Sequence, residues 1–92
     1  MIKTWKNSAS RQLGEQGKSK FGGLDVDWAL EMLVMLNATQ SLDTISPLKS
    51  VGLHALKGNR KGQWAMTLNG PWRLVFRFDN GDAYDVEIVD YH

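Results

Sequence analysis

The stretch spanning residues 63–90, QWAMTLNGPWRLVFRFDNGDAYDVEIVD, decides the fold. The dipeptides Asn69-Gly70 and Asn80-Gly81 are typical of tight hairpin turns, and they divide the stretch into three runs. Within each run, apolar residues occupy every second position, which indicates strands with one buried face. The pattern predicts a three-strand antiparallel meander whose buried face carries Trp64, Met66, Leu68, Trp72, Leu74, Phe76, Phe78, Tyr84, Val86 and Ile88.

Two helices are expected before the meander. The first covers residues 9–16, where Asn7 or Ser8 can act as the N-cap. The second begins after an N-cap at Asp25 and runs to about Ala38. It is apolar on more than one face, as in a helix that is covered on several sides. These two helices are the elements that must cover the buried face of the meander.

The segment 1–6, MIKTWK, also alternates and is predicted to form a short first strand. The expected architecture is therefore a small α+β fold. An antiparallel sheet, made of the meander 63–90 and the N-terminal strand, packs against the two N-terminal helices. A chain of 92 residues is the length of one domain, so we expect a single domain over residues 1–92.

The composition excludes several classes of chemistry. The chain has no cysteine, which excludes disulfides, thiolate nucleophiles and cysteine-ligated zinc. Two histidines without a third make a histidine-built metal site a poor interpretation. We therefore expect no metal and no cofactor. The N-terminus lacks an apolar signal-peptide core, and no apolar run approaches the length of a membrane span, so a cytoplasmic protein without a membrane segment is expected.

Charge is distributed unevenly although the net charge is only +1. No acidic residue lies between Asp43 and Asp79, whereas five acids follow within residues 79–90. A basic region of this kind can attract a polyanion, and the alternative is a solvated face without a partner. The basic residues between the two aspartates are Lys49, Lys57, Arg60, Lys61, Arg73 and Arg77.

Several of these side chains suit phosphodiester chemistry. Cleavage of RNA by its own 2′-hydroxyl needs a base, an acid and cations near the phosphate, and it needs no metal. Histidine titrates near neutral pH and serves as acid or base, which makes His54 and His92 candidates. Arg73 and Arg77 share one strand face, and the guanidinium fork matches a phosphate. Each of these residues taken alone is also compatible with an ordinary surface position.

The order of the motifs LHALKG, GQW, NGPWRLVFRF, GDAY and the terminal DYH resembles HigB-type toxins of the RelE/ParE superfamily. The resemblance covers residues 52–92 well and the opening segment modestly. It implies the toxin of a type II toxin–antitoxin system, a ribosome-dependent endoribonuclease that cuts mRNA in the ribosomal A site. It also implies the 70S ribosome and mRNA as partners, together with a HigA-type helix-turn-helix antitoxin. Operator DNA would be bound only through the antitoxin complex.

The resemblance also assigns roles to individual residues. It implies a catalytic or mRNA-contacting role for His54, charge stabilisation by Lys57, and a hold on the scissile phosphate by Arg73. Asp90, Tyr91 and His92 would complete the site, with His92 as the first choice for acid–base work. The positions expected to contact ribosomal RNA are Arg60, Lys61 and Arg77.

Two other functions remain open on the sequence alone. A toxin of the same fold could act on DNA gyrase, as ParE-like relatives do, without cleaving RNA. A degenerate toxin could act only as the antitoxin's partner or corepressor. Neither function needs the intact set of His54, Lys57, Arg73 and His92, which favours the nuclease.

Overall fold

The four strands of the sheet follow one another in space in the order in which they occur in the chain. The computed structural model describes residues 1–90. Two α-helices precede the sheet, whose neighbouring strands are all antiparallel, so the predicted α+β fold is confirmed. The elements are α1 (Ser8–Gln16), α2 (Val26–Ala38), a 3₁₀ helix (Leu42–Thr44), β1 (His54–Ala55), a second 3₁₀ helix (Gly58–Arg60), β2 (Trp64–Thr67), β3 (Trp72–Asp79) and β4 (Asp82–Asp90).

Both helices begin at the predicted caps. The side chain of Asn7 accepts a hydrogen bond from the amide of Ser10 at 2.9 Å, and that of Asp25 accepts from the amide of Trp28 at 3.1 Å. Each bond satisfies one of the amides that a helix N-terminus leaves without an internal partner. Helix α1 ends at Gly17, which adopts a left-handed φ of 70°.

The helices cover one face of the sheet, here called the inner face. Side chains from α1 and α2, among them Leu13, Met32 and Leu36, are buried together with Leu74 and Phe76 of β3. Helix α2 is not buried all round, because Val34 remains 69% exposed. None of the helices in the described part of the chain is long and apolar enough to cross a membrane.

The N-terminal segment lies beside β4 but does not form the predicted continuous strand. It makes two isolated parallel bridges, Ile2 to Ala83 and Trp5 to Val86. Between them the hydroxyl oxygen of Thr4 accepts the amide of Asp85 at 2.8 Å. The backbone ladder is therefore interrupted where β4 itself is irregular.

That irregularity is a β-bulge, and it corrects the predicted position of Tyr84. The register shifts between the pairs Val75 to Glu87 and Arg77 to Tyr84, and Asp85 has a φ of 52°. An extra residue in one strand moves the following side chains to the opposite face. Ala83 is consequently buried in the core, and Tyr84 lies opposite Arg77 on the other face of the sheet.

Strand β1 was not expected from the sequence. It has only two residues, His54 and Ala55, which pair with Ala65 and Trp64 of β2. Two residues are too few to show an alternating pattern, so the segment resembled a loop. The pairing matters because it fixes the position of His54 relative to the rest of the sheet.

Candidate active site

The face of the sheet turned away from the helices, here called the outer face, carries the predicted basic residues. In the ladder His54, Ala65, Val75 and Glu87 lie opposite one another in a single row across all four strands. Directly opposed residues in antiparallel strands point to the same side of a sheet. Arg73 has the same parity as Val75, so it shares this face with His54.

A small apolar cluster lies on the outer face of the sheet. Leu56, Ala65 and Val75 are buried together, and Val89 packs against them half-buried. Leu56 reaches this cluster because it has the parity of His54 and its amide continues the pairing of β1 with β2 by donating to the carbonyl of Gln63. Apolar packing under the charged groups fixes the strands and therefore the spacing of the side chains above them.

His54 is exposed at the edge of the sheet, and its ring is oriented by a local contact. Its Nδ1 lies 3.0 Å from the carbonyl oxygen of Gly52. Because a carbonyl oxygen only accepts, Nδ1 must carry a hydrogen and donate it. In the neutral ring, Nε2 is then the nitrogen with a free lone pair, which is the arrangement that a general base requires.

Arg73 is half-buried, and part of its guanidinium is fixed by the turn between β2 and β3. Nη1 donates to the carbonyl oxygens of Gly70 and Trp72, each at 2.8 Å. Nε and Nη2 have no partner within residues 1–90 and remain available to an anion. His54 lies on β1 and Arg73 on β3, with β2 between them, and their rows in the ladder are two residues apart. These offsets give a Cα separation of about 12 Å.

The segment 57–62, here called the basic loop, connects β1 to β2. Lys57 and Lys61 are exposed, and neither ammonium group has a partner in the described part of the chain. Gly58 and Gly62 adopt left-handed φ angles of 68° and 94°, which glycine tolerates without strain. The loop therefore turns tightly and presents two cations without partners in residues 1–90 beside the outer face.

The other two predicted RNA-contacting arginines are already paired. Nη1 of Arg60 donates to Gln63 Oε1 at 3.0 Å and lies 3.4 Å from Glu87 Oε2. Nε of Arg77 lies 3.5 Å from Asp85 Oδ2, and both of these side chains are about half exposed. Glu87, in contrast, is buried, which no pattern in the sequence indicates. Its position between Val86 and Ile88 indicated only a solvent-facing residue of an edge strand.

Asp90 does not come close to His54. It lies at the end of β4 opposite Trp72, on the inner-face side, about 18 Å from His54 by ladder position. Along β4 it directly follows Val89, the residue that pairs with Arg73, but its position in the ladder assigns it to the opposite face. Tyr91 and His92, the remaining predicted members of the site, lie outside the described residues, and their roles stay predictions.

The described residues thus unite His54 and Arg73 on one face, with Lys57 in the adjoining loop. This set offers a base, a phosphate-binding fork and a point charge. Within residues 1–90, no three His, Asp or Glu side chains come together as ligands for a metal ion.

The chain is similar in sequence to known proteins over most or all of its length. The model of a HigB-like toxin family, described as RelE-like toxin of type II toxin-antitoxin system HigB, matches residues 17–92. Endoribonuclease HigB of Proteus vulgaris is 37% identical over 98 aligned positions, which cover 100% of both chains.

Proposed function

Since the chain belongs to the HigB family of RelE-like toxins of type II toxin–antitoxin systems and is an endoribonuclease, we propose that it cuts mRNA in the ribosomal A site and so arrests translation. The observation that carries the mechanism is the oriented imidazole of His54 on the same sheet face as Arg73. A 2′-hydroxyl held near Nε2 can lose its proton there.

The proposed reaction is an attack of that 2′-oxygen on the adjacent phosphorus. The O–P bond forms as the bond to the 5′-oxygen of the next nucleotide breaks, which leaves a 2′,3′-cyclic phosphate. The leaving 5′-oxygen must take up a proton, and this is the role proposed for His92. Asp90 would orient that imidazole, and Tyr91 would position a base by stacking.

Charge on the phosphate rises during this attack, and two cations are proposed to stabilise it. Arg73 would grip the non-bridging oxygens through Nε and Nη2, which have no partner in the described chain. Lys57 would add a point charge from the basic loop. Such preorganised charge is worth most in the transition state, so losing it should lower kcat.

Lys61 and Arg77 are proposed to bind ribosomal RNA at the margin of the outer face. Lys61 is unpaired within residues 1–90, and the ion pair of Arg77 is half exposed, so an RNA phosphate can replace Asp85. These contacts would help hold the toxin on the 70S ribosome. They would also account for an activity that depends on the ribosome.

A type II toxin has a cognate antitoxin. We propose that this partner is a HigA-type protein with a helix-turn-helix domain, and that operator DNA is bound only through the complex. The toxin itself would act in the cytoplasm, where translating ribosomes are found.

Induced expression of the wild type, His54→Ala and His92→Ala tests the proposal. The wild type should arrest growth and leave mRNA cut at codon-register positions, and both variants should lose the cuts. Growth arrest without mRNA fragments, accompanied by loss of DNA supercoiling, would instead identify a gyrase-directed toxin. If His92→Ala cuts as the wild type does, the terminal acid is assigned wrongly.

A further inference from the structure

Glu87 is a buried carboxylate that no step of the proposed reaction uses. Only 8% of its side chain is exposed, and it lies on β4 opposite Val75, on the outer face. A buried carboxylate is unfavourable unless it is paired. On this face it would also repel an RNA phosphate. Glu87 therefore needs a cation, and Arg60 is the one that the structure supplies.

The ion pair joins two distant parts of the chain. Arg60 belongs to the basic loop, whereas Glu87 belongs to β4, 27 positions later in the sequence. Strands β2 and β3 lie between β1 and β4 in the sheet. The side chain of Arg60 thus ties the basic loop across the outer face to the far edge strand.

The ends of the basic loop are held by other contacts. Before the loop, Leu56 is buried, and its amide donates to the carbonyl of Gln63 at 2.9 Å. At its far end, the backbone at Gly62 passes close to the guanidinium group of Arg77, since an added Cβ would lie 3.0 Å from Nη1.

The middle of the loop has fewer contacts with the rest of the chain. Its amides bond only within the loop, from Arg60 to Lys57 and from Lys61 to Gly58. The carbonyl of Arg60 accepts from the amide of Gln63 at 3.0 Å, just outside the loop. Among the contacts of residues 1–90, the bond from the Arg60 side chain to Glu87 is the one that joins the middle of the loop to a strand of the sheet.

We propose that Arg60 and Glu87 are positioning residues whose ion pair holds the basic loop over the sheet, so that Lys57 stays within reach of the phosphate gripped by Arg73. This inference rests on the proposed function. It replaces the expected RNA contact of Arg60 with an indirect role through the loop. The two interpretations differ in what removal of Glu87 should do.

The first test is Glu87→Ala, assayed by cleavage of mRNA on programmed ribosomes. This change removes the carboxylate partner of Arg60, leaves its bond to Gln63 in place and makes the face more positive, so a direct phosphate contact would be unharmed or strengthened. If the ion pair instead positions the basic loop, its loss should lower kcat by about tenfold while KM stays the same or falls. Asp79→Ala is the matched control, since it removes an exposed carboxylate with no partner in the described chain and should leave both constants unchanged.

The second test compares Arg60→Gln with the double variant Arg60→Gln/Glu87→Gln. The single variant leaves a buried carboxylate unpaired and should lose about tenfold or more in kcat/KM. In the double variant two neutral amides can hydrogen-bond to each other, so most of the activity should return. A double variant as impaired as Arg60→Gln would show that Arg60 contacts RNA directly and would overturn the proposal.

A third measurement does not depend on activity. In Glu87→Ala the amides of Arg60 and Lys61 should exchange with solvent at least about tenfold faster, while those of Leu74 and Val75 in β3 keep their rates. Unchanged loop exchange would overturn the positioning role even if the wild type proves not to cut mRNA. If loop amides exchange faster in Glu87→Ala but the wild type does not cleave mRNA, the ion pair does hold the loop and the proposed function is wrong.

Discussion

His54 and Gly52 are joined by a contact of 3.0 Å between the imidazole Nδ1 and the backbone carbonyl oxygen. Gly52 can present that carbonyl because its φ is 60°, in the left-handed region. A Cβ at this position would lie only 2.6 Å from the hydroxyl oxygen of Thr67. The orientation of the proposed base therefore depends on a glycine two residues before it.

Gly52→Ala should consequently reduce both stability and activity. The left-handed backbone alone makes alanine unfavourable by about 1–2 kcal/mol, and the clash with Thr67 adds to this. Relief of the clash would move the carbonyl that orients His54, so kcat should fall as well. Chemical denaturation and single-turnover cleavage are the measurements.

Gly70→Ala is the matched control for Gly52→Ala. Gly70 has a similar φ of 51°, but no atom lies within 4 Å of its added Cβ. It should show the conformational cost without the clash. Equal losses of stability in the two variants would contradict the importance of the Thr67 contact.

Lys57→Met should lower kcat and leave the fold intact, because its ammonium group has no partner within residues 1–90. Methionine keeps most of the length of the side chain and removes the ammonium group. Lys49→Met is the control, since Lys49 is also exposed and lies in the same acid-free segment. Initial rates on programmed ribosomes should separate the two variants by about tenfold or more. Equal activities would remove Lys57 from the site.

Arg73 and Arg77 should differ in which kinetic constant they control. Arg73→Lys keeps the charge but loses the fork that bonds to Gly70 and Trp72, so we expect a lower kcat. Arg77→Gln removes a peripheral charge and should raise KM with kcat unchanged. Steady-state kinetics at two salt concentrations measures both, and the defect of Arg77→Gln should shrink at high salt. A kcat defect in Arg77→Gln would place that residue in the reaction centre.

The left-handed backbone at Asp85 predicts that a glycine variant is more stable than the wild type and a valine variant less stable. Asp85 is a non-glycine residue with a φ of 52°, and its ion pair with Arg77 is half exposed and therefore weak. Asp85→Gly should stabilise the protein by up to about 1 kcal/mol, whereas Asp85→Val should destabilise it by about 1–2 kcal/mol. Thermal unfolding measures the series. A glycine variant less stable than the valine variant would contradict the strain at this position.

Much of the fold follows from local patterns that the sequence contains. The caps at Asn7 and Asp25 and the three meander strands are local features, because each depends on residues a few positions apart. The placement of Arg73 and Arg77 opposite the core follows from the same alternation.

The features that the sequence did not predict depend on distant contacts. The inward turn of Ala83 requires a bulge that is supported by Thr4 from the N-terminal segment. The pairing of Arg60 with Glu87 crosses 27 positions, and no periodic pattern connects them. The edge position of His54 arises from a two-residue strand, which is too short to be detected from its own sequence.

The chemistry of the cut ends tests the central claim most directly. If His54 activates a 2′-hydroxyl, the downstream mRNA fragment made on the ribosome must begin with a 5′-hydroxyl. The upstream fragment must end in a cyclic phosphate or its hydrolysed form, and His54→Ala must give neither fragment at a comparable rate. A downstream fragment that begins with a 5′-phosphate would mean that water, and not the RNA's own hydroxyl, attacks the phosphorus, and would contradict the account.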